Sequence, residues 1–206
     1  PAGGHKGPGG IFAAAAPVTN GGGCGIIGVG TINGGAAAGG GITRMYELIP
    51  VGARTYYIDC PVRMGLYRHG EREVCLIDSG GDGGTAKKVL RHLEEQGWTL
   101  TAIFNTHSHA DHVGGNALLQ ERTGCPAYAW GVEAPFVRDP VLEPTVLFGA
   151  FPYREIRNKF LEAKPSDCQA LTEDVLPPGL TFADLHGHAA GMVGYRTDDD
   201  VCFVAD

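Results

Sequence analysis

Between Thr106 and His112 the chain reads Thr-His-Ser-His-Ala-Asp-His, placing three imidazoles and a carboxylate directly after the apolar run Leu100–Phe104. A short apolar run bounded by polar residues reads as a buried strand. Residues two apart on an extended segment project to the same side, so His107 and His109 share a side. Asp111 and His112 follow in a turn that can aim them at an adjacent point. So many ligand-type side chains cannot all be buried usefully without a cation, and neutral imidazole suits zinc and iron. A solvated polar loop is the bland alternative. It fits a lone histidine far better than four such side chains at this spacing. Any fold for this chain therefore has to bring the end of a buried strand to a polar, cation-binding point.

The flanking sequence supplies the strand. Arg54–Ile58, Val62–Tyr67 and Glu73–Asp78 are rich in β-branched and aromatic residues and read as antiparallel strands. After the loop Ser79–Gly84, a helix is expected over 85–96. Thr85 can cap it, Ala86, Val89, Leu90 and Leu93 recur at helical spacing, and Gly97 stops it. Beyond the histidines come a short helix near 115–122, a strand at Ala127–Trp130 and a helix starting near Gly131. A further helix candidate, Tyr153–Ala163, carries Ile156, Phe160 and Leu161 on one side. Strands resume at Thr181–Leu185, Gly194–Thr197 and Val201–Ala205. The alternation of strands and helices places the chain in the α/β class.

Composition separates the first 41 residues from the rest. Sixteen of the 33 glycines fall there, with Lys6 as the sole charged side chain. So little large apolar surface cannot offset the entropy of ordering, and 1–41 reads as a disordered leader. Its G-x-G-x-x-G frame (Gly23, Gly25, Gly28) lacks the strand and helix that a dinucleotide site needs. A net charge of −7 with no run of Lys or Arg argues against nucleic acid as a partner. No stretch reaches membrane-span length. The six scattered cysteines, with no CxxC pair, read as buried thiols of a reducing compartment, so the cytoplasm is the expected location.

Thr106–His112, followed by Gly114-Gly115, resembles the H-x-H-x-D-H signature of the metallo-β-lactamase superfamily. Leu185-His186-Gly187-His188-Ala189-Ala190-Gly191 is similar to that family's L-P-G-H-T-P-G segment, with His186, Ala189 and Ala190 as departures. Cys75–Gly80 resembles its early strand ending in I-D-x-G, and Val201–Asp206 its strand ending in an aspartate. The resemblance implies an αββα sandwich over 42–206, carrying the N-terminal half and the start of the second half and incomplete at the C-terminus. It also implies two divalent metal ions, zinc first, with iron or manganese compatible. His107, His109 and His188 would hold one metal, Asp111 and His112 the other, and Asp206 would bridge them. Asp78 would stand behind the ligands. The last histidine of the family's second site would lie beyond Asp206. His186 is the competing choice for His188, and Gly191 at the family's offset favours His188.

The chemistry so implied is hydrolysis of a small-molecule ester, thioester or lactone by a metal-activated hydroxide, with Asp111 orienting it and carrying a proton. The aromatic stretch between His112 and His188 (Phe136, Phe148, Phe151, Tyr153, Phe160) either walls a pocket or packs its own helix on the core. Two other classes compete. One is a mononuclear iron oxygenase of sulfur compounds with the same fold, and the other is a non-catalytic fragment. A β-lactamase is disfavoured because Asp206 occupies the bridging position. A di-iron oxygen reductase is disfavoured because His109 stands where such relatives carry Glu.

Overall fold

The computed structural model describes residues 25–27 and 45–206. In chain order the strands are β1 (Gly25–Ile27), β2 (Glu47–Pro50), β3 (Thr55–Asp59), β4 (Met64–Arg68), β5 (Glu73–Ile77), β6 (Thr99–Phe104), β7 (Ala127–Ala129), β8 (Gln169–Ala170), β9 (Leu180–Asp184), β10 (Val193–Thr197) and β11 (Val201–Phe203). The helices are α1 (Gly83–Gln96), α2 (Ala110–Val113), α3 (Asn116–Thr123), α4 (Glu133–Arg138) and α5 (Leu142–Phe148). β2 to β8 form one sheet in chain order, and the second sheet runs β1-β11-β10-β9. Pairing is antiparallel from β2 to β5. It turns parallel from β5 to β8, where helices make the crossovers.

The period of two along each strand divides the larger sheet's side chains between two cores. Leu66, Val74 and Leu76 face Ala86, Val89 and Leu93 of α1 and Leu119 of α3. Tyr67, Cys75, Ile77 and Phe104 point the other way, against Val193, Tyr195, Val201 and Phe203 of the second sheet. The result is a helix layer, a seven-stranded sheet and a four-stranded sheet. The sheets approach closely where β4 carries Gly65, since a Cβ there would lie 2.6 Å from the Phe203 ring.

Two sequence expectations need correction. Thr85 does not cap α1. Asp82 does, its Oδ1 accepting the Thr85 N–H at 3.0 Å, and the helix starts two residues earlier. The helix expected over 153–163 is instead one 3₁₀ turn at Arg154–Ile156. Arg157 is extended, and Asn158 Oδ1 takes the Phe160 N–H in a local turn. Phe160 is 76% exposed, so no core rewards the apolar spacing. Within the first 41 residues, Gly25–Ile27 pair in parallel with β11. The remainder of 1–41 lies outside the described residues, as do Gly23 and Gly28. The helix α5 was not foreseen. Its Pro144 sits in the first turn, where a missing N–H is tolerated.

Gly114 and Gly115, after the histidines, are required by closeness rather than by unusual torsions. A Cβ on Gly115 would meet the Ser79 carbonyl oxygen at 2.3 Å, and one on Gly114 the Gly81 carbonyl oxygen at 2.2 Å. Backbone atoms cannot rotate away. The same contact fixes His112, whose carbonyl accepts the Ser79 N–H at 2.7 Å. Gly115→Ala is therefore expected to destabilise the fold by about 1–3 kcal/mol, the usual cost of overpacking. Urea denaturation checks this, and an unchanged midpoint would contradict it.

Candidate metal centre

β5 and β6 run parallel, so their C-terminal ends lie side by side. Asp78 follows β5 and Thr106 follows β6. Asp78 is fully buried and takes a left-handed torsion, φ 58°, which is rare for a residue other than glycine. Its carboxylate accepts the Thr106 N–H at 2.8 Å, the Thr106 hydroxyl at 2.7 Å and His112 Nδ1 at 2.8 Å. Because the Thr106 hydroxyl donates to Asp78, its oxygen is left to accept from His107 Nδ1 at 3.0 Å. One carboxylate thus orients two imidazoles, directly for His112 and through Thr106 for His107. Both keep Nε2 for the other side. Both Nε2 atoms are buried without a hydrogen bond, that of His112 having only the Asp206 carboxylate near it, at 3.5 Å.

His109 is turned the other way. Its Nε2 lies 3.4 Å from Glu143 Oε1, and its Nδ1 is 3.0 Å from His188 Nε2. The His188 ring centroid is 5.1 Å from that of His107 and 4.6 Å from that of His109. Asp206 Oδ2 stands 3.5 Å from His112 Nε2 and from His188 Nε2. Among the described residues two donor groups result, His107–His109–His188 and His107–His112–Asp206, each with its ligand atoms within 4.8 Å of one another. They share His107. Two orphaned ring nitrogens facing an imidazole pair and a carboxylate suit a divalent cation.

The electrostatics set the rings apart. Burial, with the neighbouring imidazoles, drives the His107 pKa far down, so its ring stays neutral as a ligand must. At His112 burial opposes the charge, but the Asp78 carboxylate and the Asp206 contact outweigh it and raise the pKa to about 10. The contact with His112 lowers the Asp206 pKa. Glu143 raises that of His109.

Asp111 joins neither donor group. It lies in the first turn of α2 and lines a cavity of about 180 Å³ with Val62, Gly81, Thr85, Lys159 and Phe160. His186 stays outside as well, exposed and bound through its N–H and Nδ1 to Asp184 Oδ1. Of the aromatics between the two histidine clusters, Phe151, Tyr153 and Phe160 are all exposed, and Phe160 stands at the edge of this cavity. Sequence reasoning missed Glu143 and Glu133. Glu133 is buried and takes donors from Ser108 and Gly191. Neither glutamate lies in a motif, and only folding brings them to the centre.

The model of the metallo-beta-lactamase superfamily matches residues 57–206. The chain belongs to that superfamily. It is 40% identical over 139 residues to the hydroxyacylglutathione hydrolase of Hyphomonas neptunium, covering 64% of this chain and 45% of that one. It is 29% identical over 143 residues to the probable metallo-hydrolase YqgX of Bacillus subtilis, covering 68% and 63%. The chain spans less than two thirds of the length of these curated relatives. Among solved structures, the subclass B3 metallo-beta-lactamase BJP-1 of Bradyrhizobium japonicum superposes with a TM-score of 0.59 at 19% identity, over 74% of this chain and 56% of that one. BLEG-1, another B3 enzyme, gives 0.55 at 24% identity, over 77% and 70%. These likenesses establish the α/β sandwich of the superfamily. No helix among the described residues is long and apolar enough to cross a membrane.

Asp78→Ala removes the acceptor that aims His112 and, through Thr106, His107. Zinc affinity should fall about 10- to 100-fold, the usual effect of losing such a partner. Titration calorimetry of the metal-stripped protein reads this directly, and equal affinities would show that Asp78 does not orient the ligands.

Proposed function

We propose that this protein is a metal-dependent hydrolase of small thioesters, with esters and lactones as related substrates. The observation that carries the reading is the convergence of the His107 and His112 Nε2 atoms, buried without a hydrogen bond, on His109, His188 and Asp206. The thioester preference is supported by the relative from Hyphomonas neptunium, a hydroxyacylglutathione hydrolase, since an acylglutathione is a thioester.

His107, His109 and His188 would hold one cation, and His112 and Asp206 would contribute to a second, zinc being the first choice. When bound, such cations supply Lewis-acid chemistry, polarising a carbonyl and lowering the pKa of water. The protein does the rest. Asp78, Thr106 and Glu143 hold the imidazoles in fixed tautomers. Asp111, next to His112 and close enough for its charge to act on His109 and His112, takes a proton from the attacking water and delivers it to the leaving thiolate. Water adds to the acyl carbon, the C–S bond breaks, and a carboxylate, a thiol and one proton to solvent leave. Val62 and Phe160 offer the acyl group an apolar wall.

Purified protein loaded with zinc is expected to hydrolyse S-acylglutathiones and to lose that activity on chelation. Asp111→Ala should lower kcat by about 10²- to 10⁴-fold, the range for a positioned general base. Wild-type kcat in this variant would remove Asp111 from the mechanism. Zinc-loaded protein that leaves thioesters, esters and lactones intact would sink the hydrolase reading.

A further inference from the structure

The two loops that carry the histidines of the first donor group belong to different sheets, and one buried carboxylate touches both. Glu133, the first residue of α4, is 3% exposed. Its Oε2 accepts the Ser108 N–H at 2.9 Å and the Ser108 hydroxyl at 2.5 Å. Its Oε1 accepts the Gly191 N–H at 2.7 Å. Ser108 stands between His107 and His109, and Gly191 closes the turn that begins at His188. The approach is tight, for a Cβ on Gly191 would lie 2.8 Å from the Trp130 carbonyl oxygen and 3.0 Å from Glu133 Cγ.

Packing does not explain an acid at this position. The other buried side chains of α4, Ala134 and Val137, belong to a small apolar cluster with Ala110, Val113 and Ala129. A buried carboxylate is costly unless donors surround it, and here every partner is a donor. A backbone bond from the Val193 N–H to the Thr106 carbonyl, 2.9 Å, also joins the segments, but at the start of β10, further from His188. At the turn itself the tie is Glu133.

We infer that Glu133 is a positioning residue for the metal centre. It clamps the His188 turn to the His107–His109 segment, so that His188 Nε2 is presented to the other two rings. The inference rests on the reading of the cluster as a metal centre. Glutamine has the same shape as glutamate but only one accepting oxygen. In either orientation its NH₂ would face a donor, at Ser108 or at Gly191, and one loop would be released.

The test compares wild type, Glu133→Gln and Ser108→Ala for zinc affinity and for the electronic spectrum of the cobalt(II)-substituted protein. That spectrum reports ligand geometry and is indifferent to a loss of stability alone. For Glu133→Gln the zinc Kd is expected to rise about 10- to 100-fold, with the cobalt bands shifted as His188 leaves. Ser108→Ala keeps both backbone contacts and loses only the hydroxyl, so its shift should be in the same direction and smaller. It also serves if Glu133→Gln fails to fold. A Kd within twofold of wild type and unchanged cobalt bands in the folded variants would overturn the clamp. Wild-type protein that takes up neither zinc nor cobalt would overturn the metal-centre reading itself, a distinguishable result.

Discussion

The buried carboxylate of Asp78 is the interaction on which the centre depends. It gathers three donors from the loop after β6 and the short helix α2, a stretch 28 to 34 residues further along the chain. Its left-handed backbone costs of order 1 kcal/mol or more, and the surrounding bonds hold it there. The parallel register of β5 and β6 explains how this is possible, because it sets the two strand ends beside each other before any side chain is considered. From that point the tautomers of His107 and His112 follow, and so does the side on which each offers a lone pair.

The second sheet completes what the first begins. Cys75, Ile77 and Phe104 on one sheet and Val193, Tyr195 and Phe203 on the other make a continuous apolar interface. The Tyr195 hydroxyl reaches through it to the carbonyl of Asn105, 3.0 Å away, next to the histidine loop. This contact registers the sheets against each other at the end where the ligands collect. His188 lies in the loop from β9 to β10, and Asp206 follows β11. Ala205, with φ 58°, turns the chain just before Asp206.

How much of this was legible depended on how local the cause was. His107, His109 and His112 announce themselves because their spacing is a property of six residues. Asp78 was legible by resemblance, from the Ile-Asp-Ser-Gly run. The layers were legible because the strands are short, apolar and separated by turn residues. What could not be read were arrangements fixed through space. Glu133 and Ser108 are 25 residues apart, and nothing in either neighbourhood marks the bond. Asp111 shares a motif with the histidines, yet a single helical turn carries it to a cavity that none of them lines. The apolar spacing of 153–163 suggested a helix, but the segment finds no core, and Asn158 offers its backbone a local turn instead.

The donors come from both sides of the sheet interface. His107, His109 and His112 follow the seven-stranded sheet, while His188 and Asp206 hang from the four-stranded one. A cation bound among them would act as a rivet through two layers that apolar contact, hydrogen bonds and the Arg54–Asp198 ion pair also join. At a hundred times its Kd such a ligand adds about 2.7 kcal/mol to folding stability. Loss of the ion would therefore loosen the seam between the layers as well as empty the centre.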